Sequence, residues 1–232
     1  MKLDEITREF VQQHGRYCAI VTFRWWQILW YAVMTVGLLL LLAWRWDVTV
    51  CLVSFGLALG YFVAALFRFA AEGLSALGWG MKRVPREKLI ALRDEELPVY
   101  TILVPLYKEA NIAGKIIHNL EALDYPKEKL DVKLLLETDD LATLAAVRAA
   151  GLPDRYDVIV VPDFLPKTKP RACNFGLRQA QGEYCVIFDA EDRPEPDQLR
   201  KAVELFREMP RKYACIQAKL NYYNPRQNLL TR

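Results

Sequence analysis

Two stretches of the chain carry no charge at all: Ile28 to Trp44 for 17 residues, and Val48 to Phe67 for 20. About 20 apolar residues in a helix cross the roughly 30 Å hydrocarbon core of a bilayer. Each run therefore predicts a transmembrane helix. Only Arg45, Trp46 and Asp47 separate them, so a tight hairpin is expected over 28–71, its helices at 28–44 and 48–67, with both outer ends on one side. Lys2, Arg8, Arg16 and Arg24 precede it and Arg68, Lys82, Arg83, Arg86 and Lys88 follow, against Arg45 alone in the turn. The positive-inside tendency puts both termini in the cytoplasm, as for a multi-pass protein of a bacterial-type inner (plasma) membrane. Trp25, Trp26 and Trp30 at one end, and Trp44 and Trp46 at the other, suit interfacial belts where indole keeps its N–H wet. A cleaved signal peptide fits poorly, because the first run starts near residue 28, lacks a small-residue cleavage pattern and is followed by a second run. Gly56, Gly60 and Ala64 put small residues on one helix face, which permits close helix approach and is also common in such helices.

The flanks differ from this hairpin. Residues 1–27 form an N-terminal cytoplasmic segment in which Ile6, Phe10, Tyr17 and Ile20 lie among charges, a pattern for a helix on the membrane surface. Residues 72–97 read as a juxtamembrane linker ending at Pro98. The net charge of +3 has no concentrated basic face, which excludes a nucleic-acid binder. Cys18, Cys51, Cys173, Cys185 and Cys215 show neither a Cys-x-x-Cys pair nor a His at ligand spacing, so neither a zinc site nor a disulfide framework is expected. His14 and His118 carry no functional reading.

From Val99 short apolar runs alternate with amphipathic stretches, the pattern of βαβ units and a parallel sheet. Strands are expected at Val99 to Leu106, Val132 to Leu136, Asp157 to Val161 and Tyr184 to Phe188. Ile112, Ile116, Ile117, Leu120 and Leu123 form one helical stripe, and Leu199, Ala202, Val203, Phe206 and Met209 another. Right-handed crossovers then give an open, doubly wound α/β sheet. Each strand is followed by polar residues: Tyr107, Lys108 and Glu109; Glu137, Asp139 and Asp140; Asp163, Lys167, Lys169 and Arg171; Asp189, Glu191 and Asp192. Ligands of open α/β sheets bind beyond the carboxyl ends of the strands, so the four clusters predict one rim and one site.

Acids beside a Lys-x-Lys-x-Arg run suit a nucleoside diphosphate with Mg²⁺ or Mn²⁺, the carboxylates holding the ion and the basic groups meeting phosphate. No Gly-x-Gly-x-x-Gly follows the first strand and no Gly-x-x-x-x-Gly-Lys-Ser/Thr occurs, which removes the main support for dinucleotide oxidoreductases and P-loop enzymes. Asp189 and Glu191 can face one ion, while Asp189 or Asp192 can instead cap the next helix. A phosphatase-like Asp-x-Asp-x-Thr is excluded because Glu191 and Arg193 stand where its second Asp and its Thr would be.

Pro105-Leu106-Tyr107-Lys108-Glu109, Glu137-Thr138-Asp139-Asp140, Thr168 to Leu177, Gly182-Glu183-Tyr184 running into Asp189-Ala190-Glu191-Asp192, and Gln217-Ala218-Lys219-Leu220-Asn221 follow one another in a telling order. In it, residues 98–232 resemble the family 2 glycosyltransferases, membrane enzymes similar to cellulose, curdlan and hyaluronan synthases. The resemblance implies a GT-A fold and transfer of a hexose from a nucleotide sugar, UDP-linked, to a polysaccharide or lipid-linked acceptor. It implies that Pro105 is among the substrate-binding residues, that Tyr107 and Glu109 lie near the base with Glu137 or Asp139 also at the nucleoside, that Lys169, Arg171 and Asn174 lie at the diphosphate, and that Asp189, Glu191 and Asp192 lie at Mg²⁺ or Mn²⁺. Glu191 replaces the family's usual second Asp, so Asp192 is an alternative ligand.

The family continues with a Thr-Glu-Asp segment that supplies the general base, and then with Gln-x-x-Arg-Trp; neither occurs before Arg232. The expectation is a donor-binding half of a GT-A domain over 98–232, without turnover by itself. The alternatives are a two-helix membrane scaffold or an inactive nucleotide-binding remnant. A nucleotidyltransferase of similar topology would need a Gly-rich loop where Tyr107-Lys108-Glu109-Ala110 stands.

Overall fold

The computed structural model describes residues 5–15, 22–163 and 167–219. They form two compact units, one over Phe10–Arg83, built on a long apolar helix, and the other taking in the residues up to Glu9 and those from Val84 onward. Helix α1 spans Glu5–His14, within the expected surface segment; Tyr17, Cys18 and Ile20 lie outside the described residues, as do Leu220 and Asn221 of the last motif.

Helix α2 spans Trp25–Ala76, 52 residues. Straight, it would run about 78 Å at 1.5 Å per residue, more than twice the thickness of a hydrocarbon core. It is not uniform, because Arg45 leaves helical geometry (φ −140°, ψ 68°) and divides it into two stretches. The break falls at the expected turn but takes one residue, not three: Trp46 and Asp47 are helical. Local groups recover what the break releases, since Thr49 Oγ1 donates to the Arg45 carbonyl at 2.8 Å and the Arg45 guanidinium reaches Asp47 at 3.3 Å. The helix also outruns the uncharged runs at both ends, because Gln27, Arg68 and Glu72 are adequate helix formers. A Cβ at Gly56 or Gly60 would meet nothing within 4 Å, so among the described residues the small-residue face receives no close neighbour.

The linker expected over 72–97 is not a linker throughout. Its first residues close α2, α3 spans Arg86–Ala91, and a 3₁₀ turn covers Asp94–Glu96. Leu92 and Leu97 are buried in the core of the second unit, so that unit begins before Pro98. Its opening segment is held by carbonyl-seeking cations: Lys129 Nζ donates to the carbonyls of Asp94, Glu95 and Leu97 at 2.7–2.9 Å, and Arg200 to those of Asp124 and Leu92.

Four parallel strands follow: β1 Tyr100–Leu106, β2 Leu130–Glu137, β3 Tyr156–Val161 and β4 Tyr184–Ile187, in the order β3-β2-β1-β4. Their bounds lie within two residues of expectation. Between and after them come α4 (Ala113–Glu121), α5 (Leu141–Ala149), α6 (Lys169–Leu177) and α7 (Gln198–Glu208). The expected stripes became α4 and α7; α5 and α6 carried no such stripe.

Period-two alternation splits the core. Ile102, Val104, Leu106, Val132, Leu134 and Leu136 face one side with Ile116, Leu120, Val147, Leu199 and Val203. Leu103, Leu135, Ile159 and Val161 face the other, against Ala172 and Cys173 of α6. Helices thus cover both faces, as in a doubly wound sheet. Contact with α6 is close enough that a Cβ on Gly176 would lie 2.8 Å from Leu135 and 2.9 Å from Leu103.

Towards the amino ends of the strands, this second face turns polar. Thr101 donates to Asp131 at 2.8 Å, Lys133 Nζ reaches Asp131 at 2.7 Å and Asp157 at 2.5 Å, and the N–H groups of Gln181 and Gly182 donate to Asp131 and Thr101 at 2.9 Å. Thr101, Asp131 and Lys133 are all buried.

Candidate active site

The carboxyl ends of β1, β2 and β4 and the start of α6 enclose a cavity of about 310 Å³. Pro105, Tyr107 and Glu109 line it from the first cluster, Glu137 from the second, Lys167, Thr168 and Lys169 from the third, and Asp189 and Glu191 from the fourth. The expected rim is therefore one site, with Leu135 and Ala172 as an apolar floor.

Its first wall depends on an unusual backbone. Lys108 has φ 59°, a left-handed conformation costing a non-glycine residue about 1 kcal/mol. Asp140 holds it there: its carboxylate accepts the Lys108 N–H while also capping α5 by accepting Thr143 N–H at 3.2 Å. Thr143 Oγ1 in turn accepts the Glu109 N–H at 3.0 Å. Burial works against the Asp140 charge, yet these hydrogen bonds leave its carboxyl below the usual range. Tyr107 and Glu109 are thereby set at the cavity from a loop without glycine. Asp140 belongs to the expected rim without an assigned role, and Thr143 was not expected at the site. The Asp-x-x-Thr spacing at a helix start signals a cap, but nothing in the sequence reveals the left-handed turn.

The second wall is charged. Glu137 is buried, its Oε2 makes no hydrogen bond among the described residues, and Arg171 Nη1 lies 3.5 Å away. Burial pushes the Glu137 carboxyl up, opposed by Arg171 and Lys167. Lys167 sits between Asp139 at 2.7 Å and Asp163 at 2.8 Å, which raises its pKa and lowers that of Asp139. Lys169, at the first position of α6, pairs with Asp189.

Several expected residues stand elsewhere. Asp139 lies behind the wall, held by Lys167 and reached by the Tyr107 hydroxyl at 3.4 Å. Arg171 is buried beneath the cavity, its Nη2 donating to the Pro162 carbonyl at 2.6 Å and its guanidinium over the Phe175 ring. Asn174 lies further along α6 and does not line the cavity. Asp192 is not among the residues lining the cavity: its Oδ2 accepts the Asp189 N–H at 2.7 Å, closing the turn, and burial raises its pKa against the pull of Lys169. Among the described residues no three acidic, His or Cys side chains converge as a metal cage. Asp189 and Glu191 remain as two carboxylates on one wall, a donor set that suits a divalent cation completed by phosphate oxygens and water.

Residues 98–232, more than half of the chain, match the family described as glycosyltransferase like family 2. The chain belongs to this family. It is 28% identical over 154 residues to glucomannan 4-beta-mannosyltransferase 2 of Arabidopsis thaliana, covering 60% of this chain and 28% of that one. To cellulose synthase 2 of Novacetimonas hansenii it is 28% identical over 159 residues, covering 67% of this chain and 10% of that protein. Among solved structures it is similar to the mannosyltransferase PcManGT of Pyrobaculum calidifontis in complex with GDP-Man and Mn²⁺, with 29% identity, a TM-score of 0.43, and coverage of 52% and 37% of the two chains. The chain thus spans less than a third of those curated glycosyltransferases.

Proposed function

We propose that this glycosyltransferase binds a nucleotide sugar, UDP-hexose, in the rim cavity for transfer to a polysaccharide or lipid-linked acceptor. What carries the reading is the cavity itself, in which Asp189, Glu191 and Lys169 stand opposite Tyr107, Glu109 and Glu137 at the strand ends of a family 2 domain. Tyr107 offers a ring face for the base, and Glu137 is a buried acceptor suited to a base N–H. Lys169, at the N-terminus of α6, meets diphosphate charge there. Asp189 and Glu191 would hold Mg²⁺ or Mn²⁺, which when bound supplies Lewis-acid stabilisation of the departing diphosphate.

Membrane anchoring is part of the proposal. Helix α2 is long and apolar enough to cross a bilayer, its single break supports two spans, and the basic flanks favour cytoplasmic ends. The deciding experiment is isothermal titration of the full chain in detergent with UDP and with GDP, with and without Mn²⁺, for wild type and Asp189→Ala. Manganese-dependent nucleotide binding, lost in the variant at an unchanged melting temperature, is the expected result. Absence of nucleotide binding by the folded wild type would sink the reading.

A further inference from the structure

One lysine takes a position that belongs, on the proposed reading, to the metal. Lys169 Nζ lies on Asp189, the carboxylate that faces the cavity together with Glu191. The two side chains are 44% and 54% exposed, so the pair is solvated and easily displaced. Lys167, the neighbouring cation, is already committed to Asp139 and Asp163. Lys169 also begins α6, with Pro170 next and no acid in the first turn, where the positive end of the helix dipole disfavours a cation unless an anion faces it. Asp189 is that anion here, and a diphosphate is the stronger one.

We infer that Lys169 is a built-in surrogate cation that competes with the divalent ion for Asp189, so that metal and nucleoside diphosphate bind interdependently. This rests on the nucleotide-sugar reading above. Without nucleotide, an arriving ion must break the Lys169–Asp189 pair and then sit beside an ammonium left with no anion. With nucleotide present, the phosphate oxygens draw Lys169 off Asp189, and the same carboxylate is opened to the ion. Nucleotide therefore tightens metal binding and, by linkage, metal tightens nucleotide binding by the same factor.

The test counts free Mn²⁺ by electron paramagnetic resonance as MnCl₂ is added to the full chain in detergent, with and without saturating UDP or GDP. It compares wild type, Lys169→Met and Lys169→Arg. In Lys169→Met, Mn²⁺ alone should bind about fivefold tighter than in wild type, the scale of one exposed ion pair removed, and the gain on adding nucleotide should shrink. Lys169→Arg keeps the charge, so Mn²⁺ alone should bind it no tighter than wild type. Lys169 is half exposed at a helix start, so truncation is not expected to unfold the chain, and far-ultraviolet circular dichroism checks this. If nucleotide promotes Mn²⁺ binding in wild type but Lys169→Met binds Mn²⁺ alone no better, the surrogate role is wrong and the nucleotide-sugar reading stands. If neither nucleotide affects the folded wild type, the reading falls and the inference falls with it.

Discussion

The two ends of β2 carry buried charge in opposite conditions. Near its amino end Lys133, 1% exposed, is held between Asp131 and Asp157, and Asp131 also takes hydrogen bonds from Thr101 and Gln181. At its carboxyl end Glu137, 7% exposed, is also buried but keeps an oxygen without a hydrogen bond among the described residues, beside Arg171. Four residues apart on one face of one strand, the first is closed on itself and the second is left open. A fully hydrogen-bonded network fixes a structure, whereas a buried acceptor with an ion pair but no hydrogen bond costs stability.

Cutting the closed end should give the largest effect. Lys133→Met leaves Asp131 buried without its cation, and a loss of about 3–5 kcal/mol is expected in urea unfolding of the soluble signal, the scale for breaking a buried pair. Gly182→Ala should follow: its Cβ would lie 2.4 Å from the Thr101 backbone nitrogen and 2.8 Å from Thr101 Oγ1, so β1 or the turn must move, at about 1–3 kcal/mol. Asp140→Ala reaches the open end. Removing the α5 cap should cost about 1 kcal/mol, while the released Lys108 loop should weaken UDP binding more than that loss alone explains; titration calorimetry beside thermal melting separates the two.

The smallest effect has a diagnostic sign. The Asp131 carboxyl lies below its ordinary value of 3.8, since hydrogen bonds from Lys133, Gln181 and Thr101 outweigh burial. Its contribution is complete above that value and is lost as pH falls through the lower, folded one. Glu137 lies above its ordinary 4.5 because of burial. In the window from 4.5 up to its folded value the native state binds more protons, so its contribution declines as pH rises. Glu137→Gln should therefore flatten the stability profile above pH 4.5 and Asp131→Asn the profile below pH 4. Slopes of the same sign in both would remove the contrast between the two ends.

Much of this was legible in the chain. All four strands, α4 and α7 show as apolar runs or stripes, and the strand-end rule gathers Tyr107, Glu109, Glu137, Lys169, Asp189 and Glu191 on one rim. The misses have physical causes. Helix α6 packs through Ala172, Cys173 and Gly176, small residues that give closeness rather than an apolar stripe, and α5 buries only Thr143 and Val147. Asp192 and Arg171 match their motifs in type but turn to the backbone, because closing a turn at Asp189 and supporting the floor at Pro162 are local demands that a motif does not encode. The start of the second unit was misplaced because Leu92 and Leu97, isolated among charges, enter the core one at a time.

The polar ladder at the amino ends has a further consequence for how the sheet comes apart. Thr101 belongs to β1, Asp131 and Lys133 to β2, Asp157 to β3, and Gln181 and Gly182 to the turn that enters β4. An edge strand that frays alone would strand a buried charge in its neighbour, so β3 and β4 are denied the independent opening that edges normally enjoy. Amide hydrogen exchange should find the four strands released together, as one cooperative unit at a single opening free energy.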